Sequence, residues 1–239
     1  MRTITLLPAI DIKDAKAVRP VRGGVDQSIG ESNPLAIARE FIASGAAWLH
    51  IVDLNAAYEN GGNTSVIKKL IAECGGVKIQ VSGGISSTAG LTRALALQAD
   101  RINFASDALG DVNWLKEAFA RLGDRAAVSL DVCGEQVQAR GTDRKFGSLL
   151  RYLEELSAAG CARFTVTDVT RDGNLQGPNL ELLRTVAQHT DANITASGGI
   201  ATLADIAALK EIKGVDAVIV GKALYANRFT LGEALAAAV

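Results

Sequence analysis

The chain has 239 residues, and its 25 basic and 26 acidic side chains leave a formal net charge of -1. This balance, without any lysine or arginine run, disfavours nucleic acid or an anionic membrane surface as a partner. The apolar run between Met1 and Pro8 is too short for a signal peptide, and no later segment is long and apolar enough to cross a membrane. The sequence therefore predicts a cytoplasmic protein.

The composition gives little support for a disulfide framework or a metal centre. Three cysteines, Cys74, Cys133 and Cys161, are far apart and odd in number, which is typical of buried thiols in a reducing compartment. The two histidines have structural explanations, because His50 lies inside an apolar run and His189 ends a helical pattern, where a cation suits the helix dipole. We therefore expect no metal ion.

Short apolar runs alternate with longer amphipathic segments along the whole chain. Eight runs predict strands, at about 4–11, 48–53, 78–82, 101–105, 126–132, 163–168, 193–197 and 216–220. Helical patterns follow them, at about 34–44, 64–73, 89–97, 114–122, 148–159, 180–189, 203–210 and 231–238. Eight strand–helix units in a chain of this size predict one α/β domain over residues 1–239, a single (β/α)8 TIM barrel. A doubly wound open sheet is the alternative.

An internal repeat favours the closed barrel. Three motifs recur at a separation of 115 residues: the strand ending in Asp53 as the strand ending in Asp168, Ser82–Ile85 as Ser197–Ile200, and Ser106–Leu109 as Gly221–Leu224. Ile10–Asp11 recurs as Leu130–Asp131 at a separation of 120, so the loops after the first and fifth strands differ in length. We interpret the repeat as two homologous half-barrels, about 1–122 and 123–239.

The repeat places two carboxylates at the end of the barrel where such folds carry their chemistry. Asp11 and Asp131 end the first and fifth strands, which lie opposite each other in a barrel of eight. Asp11 could instead cap the following loop, and Asp131 could be a solvated strand end, but a charge ending an apolar barrel strand favours catalysis. Asp53 and Asp168 also end strands, where a carboxylate can accept hydrogen bonds from loop N–H groups, and we interpret both as structural.

Glycine-rich turns after the last two strands indicate a phosphate site. Ser197, Gly198 and Gly199 form the first turn, and Gly221 and Lys222 form the second. Unobstructed backbone N–H groups near a helix N-terminus bind phosphate, although plain turns use the same residues.

The first half contains a copy of this arrangement. Ser82, Gly83, Gly84 and Ser106 would line a second phosphate site, but Asp107 stands where the other half has Lys222. A carboxylate repels a phosphate dianion by about 1–4 kcal/mol at roughly 4 Å, depending on the dielectric. The sequence therefore predicts that this second site is weakened.

Seven motifs occur in the order known from one enzyme family. LLPAIDIKDAKAVR, LHIVDLNAA, VSGGI, AVSLDV, VTDVTRDG, ASGGI and AVIVGKALY span the chain from Leu6 nearly to its last helix. In these motifs the chain resembles the phosphoribosyl isomerases of histidine biosynthesis, especially the bifunctional actinobacterial type, the phosphoribosyl isomerase A family. The resemblance implies a cofactor-free (β/α)8 barrel that converts an N-linked phosphoribosyl aldose amine into its ketose, an Amadori rearrangement.

The resemblance also implies roles for individual residues. Asp11 matches the general base and Asp172 the general acid, although Asp-Gly is also an ordinary turn dipeptide. Asp131 and Thr167 match residues that orient the substrate, and Arg19 matches a substrate clamp in a first loop long enough to act as a lid. The implied partner is a small phosphoribosyl substrate, and we expect a monomer.

Three departures from the family pattern bear on substrate choice. They are Ser86 and Ala105–Ser106–Asp107 in the first-half turns, Thr142 in place of a stacking tryptophan after Arg140, and Pro20 and Arg22 beside Arg19. Arg140 could pair with the carboxylate of anthranilate or be an ordinary surface charge. With one phosphate site weakened, these changes favour phosphoribosylanthranilate, the smaller substrate. The alternative is a bifunctional or histidine-pathway isomerase acting on the substrate with two phosphates; the cyclase of the same pathway and a non-catalytic binding barrel are more distant classes.

Overall fold

Eight parallel strands close on themselves in the computed structural model, which describes residues 2–21, 24–26, 32–139 and 144–239. The strands are β1 Thr5–Lys13, β2 Lys16–Val21, β3 Gly24–Asp26, β4 Trp48–Asp53, β5 Lys78–Ser82, β6 Arg101–Phe104, β7 Ala126–Cys133, β8 Gln136–Gln138, β9 Lys145–Ser148, β10 Arg163–Asp168, β11 Asn193–Ser197 and β12 Val215–Val220. The barrel runs β1-β4-β5-β6-β7-β10-β11-β12, and β12 pairs with β1. This closure confirms the (β/α)8 barrel and excludes the open sheet.

Helices follow the barrel strands and cover them from outside. They are α1 Pro34–Ala43, α2 Leu54–Ala57, α3 Thr64–Glu73, α4 Thr88–Ala96, α5 Val112–Leu122, α6 Leu149–Ala158, α7 Leu180–His189, α8 Leu203–Lys210, α9 Lys222–Tyr225 and α10 Leu231–Ala238, with short 3-10 helices at Ser106–Gly110 and Gly123–Arg125. Side-chain caps start seven of the described helices, at Asn33, Asp53, Ser87, Asp111, Asn179, Thr202 and Thr230. In the part of the chain that is described, no helix is long and apolar enough to span a membrane.

The main apolar core lies between the strands and the helices. Ile10 and Ile12 of β1 belong to this outer layer, whereas Leu7 and Ala9 form a separate buried cluster with Ala217 and Ile219 of β12. Successive side chains of a strand alternate between faces, so the odd-numbered residues of β1 point into the barrel. Asp11 continues that inward-facing row at the carboxyl end of the strand.

Much of the remaining barrel interior is polar and hydrogen-bonded. Arg101 Nη1 donates to Gln80 Oε1 at 3.1 Å, and Gln80 Nε2 lies 3.0 Å from His50 Nδ1. Because the amide oxygen faces Arg101, the amide nitrogen must donate to His50, whose Nδ1 is therefore an acceptor. His50 is buried and structural, as the sequence predicts.

Two antiparallel hairpins rise from the mouth of the barrel, on opposite strands. β1 continues into β2 and β3, and β7 continues into β8 and β9. The end of β1 lies two residues beyond its predicted position, but the sequence analysis predicts a long loop where β2 and β3 follow, and that detail is wrong. Asp14 and Ala15 adopt positive φ angles of 51° and 64°, the conformation of a tight hairpin turn that ordinary residues seldom supply.

Candidate active site

Strand register gathers two matching sets of side chains at the carboxyl end of the barrel. Asp11, Val52 and Ser82 pair across β1, β4 and β5. In the second half of the barrel, the equivalent neighbours across β7, β10 and β11 are Asp131, Thr167 and Ser197. Both sets point inward, so four of the predicted site residues beside Asp11 line one mouth.

Asp11 is half-buried and lies above a phenol that stays neutral. The Tyr225 hydroxyl donates to the Ala9 carbonyl oxygen at 2.9 Å, one inward step below Asp11. Burial first, and then the negative charges of Asp11 and Glu40, raise the pKa of Tyr225 above its ordinary value. Tyr225 is therefore a hydrogen-bond donor here and not a second anion.

Asp131 is held by the turn that follows β6. Ser106 Oγ lies 2.8 Å from Asp131 Oδ2, and the Asp131 N–H lies 3.3 Å from the same hydroxyl oxygen. Both residues are almost fully buried, with 2% of Ser106 and 3% of Asp131 exposed. The sequence assigns Ser106 to a weakened phosphate site; its hydroxyl contacts Asp131 in this structure.

Asp172 lies on the loop after β10 and against the Gly198 turn. Its N–H donates to the Asp168 carbonyl at 3.0 Å. A Cβ atom added to Gly198 would lie 3.4 Å from both Asp172 Cα and Cβ, and 3.1 Å from Thr167 Cγ2. Lys222 Nζ donates to the carbonyl of Gly173, next to Asp172. The structure thus brings Asp172, Thr167, Gly198 and Lys222 together.

The glycine turns in both halves also have a packing requirement. A Cβ atom at Gly199 would lie 2.3 Å from the Gly177 carbonyl oxygen, and one at Gly84 would lie 2.2 Å from the Ala56 carbonyl oxygen. Both glycines have positive φ angles, 81° and 63°. Close approach of backbone therefore demands glycine at these corners, whatever ligand they bind.

The rim of the first-half turn carries a surface ion pair. Asp107 Oδ1 lies 3.8 Å from Arg144 Nη1, and both side chains are largely exposed. Arg144 also stacks on Phe146, with its guanidinium carbon 4.8 Å from the ring centroid. The Asp107 carboxylate is thus near a cation of the segment after β8, which the sequence did not indicate.

Asp53 and Asp168 are structural, as the sequence predicts. Asp53 accepts from the Asn63 amide at 2.7 Å, and Asp168 accepts from the Asn179 amide at 2.7 Å. Although burial alone raises the pKa of Asp168, hydrogen bonds from Thr170 and Asn179 and the charge of Arg171 hold it below its ordinary value.

The remaining predicted features belong to the segments after β1 and β8. Arg19 is half-buried on β2, in register with Asp26 of β3. Arg140, Thr142 and Arg22 lie outside the described residues. In the described part of the chain, no three His, Cys, Asp or Glu side chains are grouped so as to hold a metal ion.

The closed barrel and its carboxylate-bearing mouth define a (β/α)8-barrel enzyme. Residues 5–230 match the family model described as histidine biosynthesis protein. The chain belongs to this family, which confirms the resemblance carried by the seven motifs.

Curated relatives cover nearly the whole chain. A protein of Frankia alni is 47% identical over 234 residues, 98% of this chain and 95% of the relative. A protein of Bifidobacterium longum subsp. infantis is 45% identical over 239 residues, 99% of both chains. A Parafrankia protein is 46% identical over 238 residues, 99% of this chain and 96% of the relative. Each is named 1-(5-phosphoribosyl)-5-((5-phosphoribosylamino)methylideneamino)imidazole-4-carboxamide isomerase.

Proposed function

We propose that this isomerase converts the two-phosphate substrate named for its relatives from aldose amine to ketose amine, using aspartate general acid–base catalysis. The relatives support this substrate, because identity of 45–47% extends over nearly the entire chain. The choice reverses the order that the sequence alone favours, where phosphoribosylanthranilate comes first. The observation that carries the mechanism is the inward-facing position of Asp11 at the end of β1, across the mouth from the Asp172 loop.

The reaction is an Amadori rearrangement, and it needs one acid and one base. Asp172 donates a proton to the furanose ring oxygen, so the C1′–oxygen bond breaks and the ring opens to a Schiff base. Asp11 then removes the proton from C2′, and the electron pair moves toward nitrogen to give the enolamine, which tautomerises to the ketose. Positioned proton transfer of this kind contributes about 10²–10⁴-fold to the rate.

The two ends of such a substrate have two places to bind. We assign one phosphate to the turn of Ser197, Gly198 and Gly199 with Gly221 and Lys222, because backbone N–H groups of glycine-rich turns and a lysine bind phosphate. Lys222 has to leave the Gly173 carbonyl to reach an anion. The other phosphate takes the first-half turn at Ser82, Gly83 and Gly84.

Phosphoribosylanthranilate is the second candidate, and the first-half turn favours it. The Ser106 hydroxyl is buried against Asp131, and a carboxylate, Asp107, stands on the rim. The first feature removes a hydrogen-bond donor from this turn, and the second adds a negative charge, so both weaken the binding of a second phosphate. In this case Arg140 would pair with the anthranilate carboxylate and Arg19 would clamp the shared phosphoribosyl group.

Steady-state kinetics on both purified substrates tests the proposal. We expect kcat/KM for the two-phosphate substrate to equal or exceed that for phosphoribosylanthranilate. The reverse order would support the second candidate, and absence of turnover on both would overturn the isomerase assignment. Ammonia-dependent cyclisation, measured in parallel, distinguishes the cyclase class.

A further inference from the structure

The two carboxylates that match each other in the repeat have different surroundings. Asp131 is almost fully buried and contacts a hydroxyl group, whereas Asp11 is half-buried. The position that corresponds to Ser106 in the second half is Gly221, which lies beside β1 but has no side chain to offer. The repeat therefore supplies a side-chain hydroxyl at position 106 and none at position 221.

The Ser106 hydroxyl has one proton and two acceptors within reach. Its oxygen lies 2.8 Å from Asp131 Oδ2 and 3.0 Å from the Ser129 carbonyl oxygen. The contact with the Asp131 carboxyl group is the shorter of the two, and the hydroxyl oxygen also accepts from the Asp131 N–H at 3.3 Å.

The backbone holds this hydroxyl in place. Ser106 begins a 3-10 turn in which the Ala108 N–H donates to the Ala105 carbonyl at 2.9 Å. The Ala105 N–H donates to the Ile85 carbonyl at 3.0 Å, and Leu109 anchors the turn in the core. The serine is 2% exposed, so its hydroxyl is enclosed by the protein where it contacts Asp131.

We infer that Ser106 is a positioning residue for Asp131: its hydroxyl fixes the orientation of that carboxylate at the mouth. This inference rests on the proposed isomerase function, because it assumes that Asp131 orients the substrate. It separates the roles of the matched carboxylates. Asp131 is the carboxylate held in one orientation, and Asp11 is the group that exchanges a proton with the substrate.

Substitution of Ser106 tests this role, with substitution of a second hydrogen-bonded serine as the control. We expect Ser106→Ala to lower kcat by about tenfold with KM changed less than about threefold, because orientation matters more in the transition state than in binding. Ser106→Thr keeps the hydroxyl and should restore most of kcat. Ser157→Ala is the control, since the Ser157 hydroxyl makes an equally short bond, 2.8 Å to Thr190, on the outer helices.

A double-mutant cycle distinguishes positioning from general structural damage. If Ser106 acts through Asp131, Ser106→Ala should have no further effect on kcat in an Asp131→Asn background. The side-chain carboxyl ¹³C resonance of Asp131, measured without substrate, should shift in Ser106→Ala and not in Ser157→Ala. An unshifted resonance, or effects on kcat that simply add, would overturn the inference while wild-type activity still supports the proposed function. An inactive wild-type enzyme would overturn both.

Discussion

Asp11 gives the most direct prediction at the scale of single residues. Asp11→Asn keeps the shape of the side chain but cannot accept the C2′ proton at neutral pH. We expect kcat to fall by about 10³-fold or more while substrate affinity stays within about tenfold, because the loss is confined to the transition state. Steady-state kinetics with calorimetric binding measures both quantities. Asp191→Asn, an exposed carboxylate on the far end of α7, is the control and should retain activity.

Asp168 contributes to stability in a pH-dependent way. Its pKa is lower in the folded protein than the ordinary value of 3.8, so its contribution is fully present above that value and is lost as pH falls through the lower folded pKa. Asp168→Asn should lower the free energy of unfolding by about 2 kcal/mol at pH 7, because three hydrogen bonds to a charged acceptor are disturbed.

Urea denaturation of both proteins at pH 7, 4 and 3 measures this contribution. The difference between wild type and Asp168→Asn should narrow at the lowest pH. A difference independent of pH would show that the variant acts through side-chain packing and not through the ionised carboxylate.

The three cysteines should react in a fixed order. Burial, as the largest cause, raises the pKa of Cys161 to about 12 and also raises the pKa of Cys74, and both thiols are nearly inaccessible. Cys133 is half-buried at the end of β7. With iodoacetamide at pH 8, we expect Cys133 to be alkylated first and the other two only after unfolding in guanidinium. Peptide mass mapping over time gives the order, and early labelling of Cys161 would contradict it.

The sequence predicts the roles of residues whose position follows from the end of a strand. It does not predict the hydrogen-bond partner of a side chain that could point in either of two directions. Asp53 and Asp168 are assigned as structural from the sequence because a strand-end carboxylate meets loop N–H groups. The direction of the Ser106 hydroxyl depends on the register between β6 and β7, and no local pattern carries that information. The same limit explains why the pairing of Asp107 with Arg144 was not predicted.

At the scale of elements, the eight barrel strands and eight long helices lie within about two residues of their predicted bounds. The strands are marked by continuous apolar runs, and the helices are long enough for their hydrophobic period to emerge. The hairpin strands β2, β3, β8 and β9 were missed. So were α2 and α9, which have four residues each. A single turn of helix is held by its neighbours and has no period of its own.

The glycine turns give a prediction at the same scale. Gly199→Ala places a methyl group 2.3 Å from the Gly177 carbonyl oxygen at a positive φ, so we expect destabilisation of about 2 kcal/mol or more. Gly232→Ala is the matched control, because its Cβ meets nothing within 4 Å and it lies in α10. Higher helix propensity should stabilise that variant by up to about 1 kcal/mol. Thermal unfolding compares the two, and equal melting temperatures would refute the packing argument.

At the scale of the whole molecule, the floor of the barrel depends on an ion pair. Arg163, whose side chain is 9% exposed, makes a two-pronged salt bridge from β10 to Asp216 on β12 and also donates to Thr195 at 3.1 Å. Removing one partner leaves a buried cation, which costs more than replacing both. We expect Asp216→Ala to lower the free energy of unfolding by about 2–3 kcal/mol. Guanidinium unfolding measures it.

The double variant Arg163→Met with Asp216→Ala provides the comparison. It should be more stable than Asp216→Ala alone, because the unpaired charge is gone. If the double variant were the less stable of the two, packing of the arginine stem and its bond to Thr195 would outweigh the cost of the buried charge.

The alternation of side chains between the two faces of β1 limits which insertions and deletions this strand can accept. Leu7, Ala9 and Asp11 face the barrel while Ile10 and Ile12 face the helices, so deleting one codon between Leu7 and Asp11 would exchange the two faces. The carboxylate would then enter the apolar layer and an isoleucine would enter the mouth. Insertions and deletions in this strand therefore keep its two faces only when they come in pairs. The hairpin beyond Lys13 is constrained as well, because Val18 of β2 pairs with Asp11.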